Sequence, residues 1–257
     1  MNDSDTHGDS ILRRYTYLFK DVDGWFTYES QVVWDFLMSF QSASGINGNF
    51  MEIGVWKGKS AILGAMHLQN TESAVLVDAL PDMSEATKGI SLISNCNVET
   101  IACRSSMFRL SGLYDKYVGS IKWFHVDGEH TGYTALNDLA IAADMLGEKG
   151  IICVDDFMSP RYPQLAAAVF RFLFDNPIFK MFLNGENKCY ICRTEDYVMY
   201  ENVVRHNLSE YLKLHGISDR TVSKTSHAHD MGCFSIEPRF HDRDMVGMDH
   251  DLDTIVF

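Results

Sequence analysis

The sequence predicts an α/β fold: a mostly parallel, seven-stranded sheet with helices on both faces, ending in an antiparallel hairpin. Three observations carry this. Short apolar runs alternate with helical stretches between residues 49 and 175, the pattern of repeated βαβ units. Runs such as Ala74-Val75-Leu76-Val77 and Ile151-Ile152-Cys153-Val154 are apolar throughout, as strands buried on both faces must be. Two later strands, 179–185 and 187–195, are separated only by a turn at Gly185–Asn187, and strands joined that tightly run antiparallel.

The elements follow in order. Residues 1–10 read as a frayed tail, and 1–21 as a lead-in to the domain. Val32, Val33, Phe36, Leu37 and Phe40 recur at helical spacing, which predicts a helix over 28–42, broken by Ser44–Asn49. Strands are expected at 49–55, 74–80, 98–103, 120–128 and 148–157. A helix over 58–69 follows the first, and a helix over 133–146 precedes the fifth. The second of these helices is marked by Leu136, Leu139, Ala142, Ala143 and Leu146. After Pro163 a helix spans 165–175, and 197–214 also reads as helix. The domain therefore covers 22–215. From 216 to 257 the chain becomes a polar extension rich in His and Asp, ending in an apolar stretch.

Composition narrows the function. With 257 residues, 46% of them hydrophobic, the chain can bury a sizeable core. A formal net charge of −13 without a basic patch argues against nucleic acid as a partner, because a phosphate backbone would be repelled. The polar N-terminus lacks a basic segment followed by an apolar one, and no apolar run reaches membrane-spanning length, so a cytoplasmic protein without a membrane partner is expected. The six cysteines then read as reduced thiols. Cys189 and Cys192 form a C-x-x-C, but in a strand they point to opposite faces, which favours packing over a redox or zinc site.

Three constellations carry chemistry. The first is Glu52-Ile53-Gly54-Val55-Trp56-Lys57-Gly58-Lys59-Ser60, which closes a strand and opens a helix, where open parallel sheets bind ligands. Its glycines allow a sharp turn and close approach to a ligand, and Glu52 can receive a cationic or hydroxyl group. The spacing is not G-x-G-x-x-G, and Gly54 stands one residue too close to Gly58-Lys59-Ser60 for a triphosphate loop. The second is Asp78, at the end of the second strand. Ribose hydroxyls and a simple turn cap both suit it, and the preceding glycine turn favours ribose.

The third is Asp127-Gly128-Glu129-His130 with Asp155-Asp156, at the ends of neighbouring strands. Gathered carboxylates repel one another unless a cation sits among them, and oxygen ligands suit a hard divalent ion such as Mg2+. Helix capping explains one of these acids well but three together poorly. In the extension, His227, His229, His241 and His250 alternate with aspartates, but their spacing matches no compact metal motif.

At these residues the chain resembles a known family. F-M-E-I-G-V-x-x-G-K-S, V-D-A, V-D-G-E-H followed by Tyr133 and Asn137-Asp138-Leu139, and G-I-I-C-V-D-D-F carry the likeness, with Asp23-Gly24-Trp25-Phe26 upstream. Together they resemble class I S-adenosylmethionine (SAM)-dependent methyltransferases of the methyltransferase 24 group. These are similar to macrocin-type sugar O-methyltransferases and cephalosporin hydroxylase-like proteins. The likeness covers roughly residues 22–200.

The resemblance implies a Rossmann-like SAM methyltransferase fold and roles by position. Glu52, Gly54, Gly58 and Ser60 would lie at the methionine end of SAM, Asp78 at the ribose, Ser105 near the adenine, and Asp127 beside the cofactor. Asp127, Asp155 and Asp156 would hold Mg2+, with His130 or Glu129 as general base. Where the group usually reads Gly-Asp-Ser, this chain has Cys103-Arg104-Ser105. The implied activity is O-methylation of a hydroxyl on a small molecule or sugar, by a possible homo-oligomer. A metal-independent N- or C-methyltransferase and a non-catalytic SAM-binding module are the alternatives.

Overall fold

The structure is a computed structural model and describes residues 10–224 and 232–238. In chain order the elements are α1 (Ile11–Leu18), α2 (Tyr28–Ala43), β1 (Asn49–Ile53), α3 (Lys59–Met66), β2 (Ser73–Asp78), α4 (Ser84–Ser91) and β3 (Asn97–Ala102). Then come α5 (Ser105–Phe108), α6 (Gly112–Tyr117), β4 (Ile121–Val126), α7 (Gly132–Met145), β5 (Leu146–Val154) and α8 (Pro163–Asp175). The chain continues with β6 (Phe179–Gly185), β7 (Lys188–Arg193), α9 (Tyr197–Val203), α10 (Ser209–Leu214), β8 (Arg220–Lys224) and β9 (Phe234–Pro238). A π-helical turn at Val204–Leu208 joins α9 to α10.

The strands form one sheet in the order β3-β2-β1-β4-β5-β7-β6-β9-β8. The first five run parallel, and β7 enters antiparallel to both β5 and β6. All seven strands read from the sequence are present. Two more come from the polar stretch after residue 216: β9 pairs parallel with β6, and β8 pairs antiparallel with β9. Arg220-Thr221-Val222-Ser223-Lys224 carries too little apolar contrast to announce a strand. His227, His229, His241 and His250 lie outside the described residues, as does the tail before Ser10.

Period-two alternation splits the interior into two cores. Phe50, Leu76, Trp123, Cys153 and Tyr190 face α1, α2, α3 and α9. Met51, Val75, Phe124, Ile152 and Cys189 face α5, α6, α7 and α8. Cys189 and Cys192 thus fall in opposite cores, both buried and free, as their spacing in a strand requires. The lead-in contains a helix the sequence reading did not resolve. Leu12 and Tyr15 of α1 are buried, and the Tyr15 hydroxyl donates to the Lys59 carbonyl at 2.7 Å. Among the described residues no helix is long and apolar enough to cross a membrane.

Candidate active site

The site is built by sheet register. Glu52 pairs with His125, His125 with Cys153, and Cys153 with Tyr190, so these side chains share one face and one row. One pleat onward, at the carboxyl edge of the parallel strands, stand Gly54, Asp127 and Asp155. Because β7 runs the other way, its first residue, Lys188, arrives at the same edge. Its Nζ lies 2.5 Å from Asp155 Oδ2. A parallel sheet thus receives a lysine from an antiparallel neighbour, beside acids that end its own strands.

A cavity of about 1060 Å³ opens above this edge. Gly54, Trp56, Ser60, Asp78 and Ser105 line it, together with Asp127, Glu129, His130, Asp155, Asp156 and Lys188. Drug-sized ligands occupy pockets of roughly 300–1,000 Å³, so there is room for a cofactor and an acceptor together.

The glycine turn is enforced sterically. Gly54 has φ +90°, and a Cβ there would stand 1.8 Å from the Asp127 carbonyl oxygen. Asp78 fixes the turn from the next strand. Its Oδ2 accepts from the Val55 and Trp56 amides at 2.8 and 2.7 Å, and its Oδ1 accepts from the Leu80 amide at 2.7 Å. The carboxylate therefore caps the turn while facing the cavity, so the two sequence readings of Asp78 are geometrically compatible.

Two of the expected cofactor residues are not on the cavity wall. Gly58, with φ +79°, is the left-handed cap of α3, and a Cβ there would meet Ala86 of α4 at 2.3 Å. It serves helix packing. Glu52 is fully buried below the floor, where the Ser60 hydroxyl donates to its Oε1 at 2.5 Å. Its pleat turns it under the turn rather than toward the cavity.

On the other side His130 stands between two partners. Its Nε2 lies 2.8 Å from Asp156 Oδ2, and its ring packs on Tyr162 at 4.3 Å between centroids. Asp156 has φ +54°, and the Asn187 amide donates to its Oδ1 at 2.5 Å. A non-glycine residue in that region is held there by its surroundings, here by the hairpin turn. Glu129 is exposed, and its carboxylate receives only a 3.4 Å contact from the Thr134 hydroxyl.

Charge at the floor is internally organised. Burial pushes the Asp127 carboxyl well above the ordinary range, and the charges of Asp155, Glu52 and Asp156 add to this. Burial acts on Asp155 in the same sense, but the Lys188 ammonium, with His125 behind it, outweighs it and holds Asp155 below the usual value. Burial disfavours the Lys188 charge, yet Asp155, Cys153 and Asp127 together outweigh it and the net shift is upward.

A divalent ion on Asp127, Asp155 and Asp156 fits this arrangement poorly. Asp155 is taken by Lys188 and by the Asp156 amide, and Asp156 by His130 and Asn187. Among the described residues, the groups whose ligand atoms do converge, within 4.8 Å, are Glu52, His125 and Asp127. Of these, Glu52 already accepts from Ser60, and His125 Nε2 stands 3.8 Å from the lysine-bound Asp155. A dication in either place would face the ammonium at short range.

The sequence reading missed Lys188, Tyr162 and the stacked pair Trp25–Trp56, whose rings lie 5.0 Å apart at the cavity mouth. Lys188 was legible in principle: it is the polar first residue of a strand whose reversed direction brings it to the acidic edge.

Residues 51–157 match the family model described as "Methyltransferase domain", of the methyltransferase 24 group. No curated protein sequence matches the chain. Among solved structures, the SAH-bound Podospora anserina methyltransferase PaMTH1 is similar over 73% of this chain and 88% of its own, at 16% identity and TM-score 0.50. The Bacillus cereus O-methyltransferase in complex with SAH is similar over 74% of this chain and 91% of its own, at 16% identity and TM-score 0.51. CalS11, a TDP-rhamnose 3′-O-methyltransferase of calicheamicin biosynthesis, covers 76% of this chain and 97% of its own, at 15% identity and TM-score 0.50. At these identities the likeness is one of fold.

Proposed function

We propose that the chain transfers the methyl group of SAM to a hydroxyl of a small molecule or sugar, with His130 as general base. The observation that carries this is the His130–Asp156 pair, 2.8 Å apart, in the same cavity as the Gly54 turn and Asp78. An alcohol is a poor nucleophile at neutral pH, and a positioned imidazole suits the removal of its proton. Asp156 Oδ2 stands 2.8 Å from Nε2 and would favour a proton there, leaving the lone pair on Nδ1, while the Tyr162 ring packs against the imidazole. Glu129 has no comparable orienting partner, which favours His130.

SAM, when bound, supplies an electrophilic sulfonium methyl. Gly54, Ser60, Asp78 and Ser105 would hold it, and Asp127 lines the same cavity. His130 would take the acceptor's proton, so that the oxygen could receive the methyl group SAM would supply, the carbon–sulfur electron pair staying on sulfur. Fixing both partners in one cavity supplies much of the rate. The aromatic wall of Trp25, Trp56 and Tyr162 offers flat faces to an acceptor ring. CalS11 acts on a sugar nucleotide by its name, and a sugar ring is one acceptor such a wall accommodates.

Isothermal titration calorimetry with SAH and with NAD tests this reading. SAH should bind and NAD should not, because the turn lacks dinucleotide spacing. Absence of SAH binding at millimolar concentration would reject it.

A further inference from the structure

We propose that Lys188 fills the place a divalent cation would take, so that the acceptor side of the site is complete without a metal. This rests on the methyltransferase reading above.

Lys188 is buried, 2% exposed, yet lines the cavity. A buried lysine needs a partner, and this one has Asp155 at 2.5 Å, with its ammonium also over the Phe26 ring at 5.6 Å. Its position follows from the fold. The β6–β7 turn places Glu186 and Asn187 at φ +50° and +64°. The Phe157 amide donates to the Asn187 carbonyl at 3.0 Å, and Arg220 of β8 holds Glu186 at 2.6 Å. The turn is thus clamped from both sides, and Lys188, which follows it, is held against the acidic edge.

The consequence is chemical. A cation at this edge would balance the clustered carboxylates and meet the acceptor oxygen as negative charge develops on it. Lys188 supplies that charge from the chain itself, next to the carboxylates and in the same cavity as His130. An ammonium there stabilises the developing oxyanion by hydrogen bonding and charge, as fixed donors in a closed site do. Removing it should leave Asp155 without its cation beside Asp127, which is the condition under which this edge would bind a hard dication.

The experiment is a Mn2+ titration of the metal-stripped full chain saturated with SAH, with free Mn2+ read by electron paramagnetic resonance. Wild type should show no site tighter than about millimolar. Lys188→Met should acquire one at least ~10-fold tighter, because its acids are left without a cation. Asp155→Asn in the Lys188→Met background should lose it again. A one-to-one micromolar Mn2+ site in the wild type, or no gain in the Lys188 variants, overturns the proposal. Lys188→Gln serves if Lys188→Met fails to fold, and the wild-type titration decides the matter by itself in either case. SAH binding in the same samples separates the two claims: its failure rejects the methyltransferase reading, whereas Mn2+ binding with SAH bound rejects only this one.

Discussion

The two ends of the parallel sheet each bury a lysine–carboxylate pair, and they close it differently. At the amino end Lys122 Nζ lies 2.7 Å from Glu72 Oε2, with both side chains under a tenth exposed. Glu72 is then saturated: its Oε1 accepts from the Gly48 amide at 2.7 Å and its Oε2 from the Gln69 amide at 2.8 Å. At the carboxyl end Lys188 and Asp155 form the matching pair, but the groups around them are left incomplete. Glu52 Oε2 and both His125 ring nitrogens are buried without a hydrogen-bond partner, and His125 Nδ1 stands 3.2 Å from Glu52 Oε1 off the line of a hydrogen bond. Buried polar groups are ordinarily paired. Both Glu72 oxygens at the amino end are thus paired, whereas at the carboxyl end the unpartnered groups lie buried beneath the floor of the cavity.

That contrast breaks first at Glu72. Glu72→Ala removes one partner of a closed buried pair and strands the Lys122 charge, so it should cost about 3–5 kcal/mol of stability in urea unfolding. Chain that remains folded should bind SAH as before, since Glu72 lies at the other end of the sheet. Loss of SAH affinity without loss of stability would contradict the division.

His130→Ala should do the reverse. Turnover should fall roughly 10²–10⁴-fold, the range for a positioned general base, while stability shifts by no more than about 0.5 kcal/mol. Glu129→Gln is the comparison. If it depresses turnover as strongly and His130→Ala does not, the base has been misassigned.

The sequence made the scaffold more legible than the site, for a physical reason. Burial on two faces writes itself as apolar runs, so β1 to β7 could be read directly, and the hairpin announced itself through Gly185–Asn187. The carboxyl-edge acids were legible because each follows an apolar run. What could not be read is orientation. Glu52 and Gly54 are two residues apart, yet one is sealed under the turn and the other forms the cavity wall. Gly58 reads as a ligand-binding glycine, yet it lies off the cavity wall and against Ala86, on a helix the sequence did not mark. The lysine that pairs with Asp155 lies some thirty positions downstream, and its place at the acidic edge is visible only once strand direction is known.

Asp138 sharpens the comparison from within α7. It is 1% exposed, the Asn137 amide donates to its Oδ1 at 3.0 Å, and its Oδ2 has no partner. Burial raises its carboxyl from 3.8 to about 6, against the opposing effects of the Ser105 hydroxyl and Asn137. A folded-state value above the unfolded one means that the native state holds the proton more tightly. This contribution is therefore fully present below about pH 4 and is lost as pH rises through about 6. A displacement of that size corresponds to roughly 3 kcal/mol. Asp138→Asn should remove this part of the pH dependence and stabilise the protein at pH 8 relative to wild type, in urea melts at pH 4 and 8. Equal stability of the two proteins at pH 8 would show that Asp138 is not buried as described.

The smallest expected effect concerns Asp78, which takes part in both kinds of work at once. Its carboxylate accepts from three backbone amides around the glycine turn, and it lines the cavity. A mutation alone cannot separate these, because losing the turn also loses the ligand. A ligand-side change can. The 2′-deoxy analogue of SAH keeps every contact except one ribose hydroxyl. If Asp78 receives that hydroxyl, wild type should bind the analogue more weakly than SAH by about 1–3 kcal/mol, the range for a hydrogen bond to a charged group. Asp78→Asn should bind both more weakly overall, but with a clearly smaller difference between them, because the charge that strengthened the bond is gone. Non-additivity of this kind is what contact between the two groups produces. An undiminished preference for SAH in Asp78→Asn would assign the ribose to another residue and leave Asp78 as the clasp of the turn.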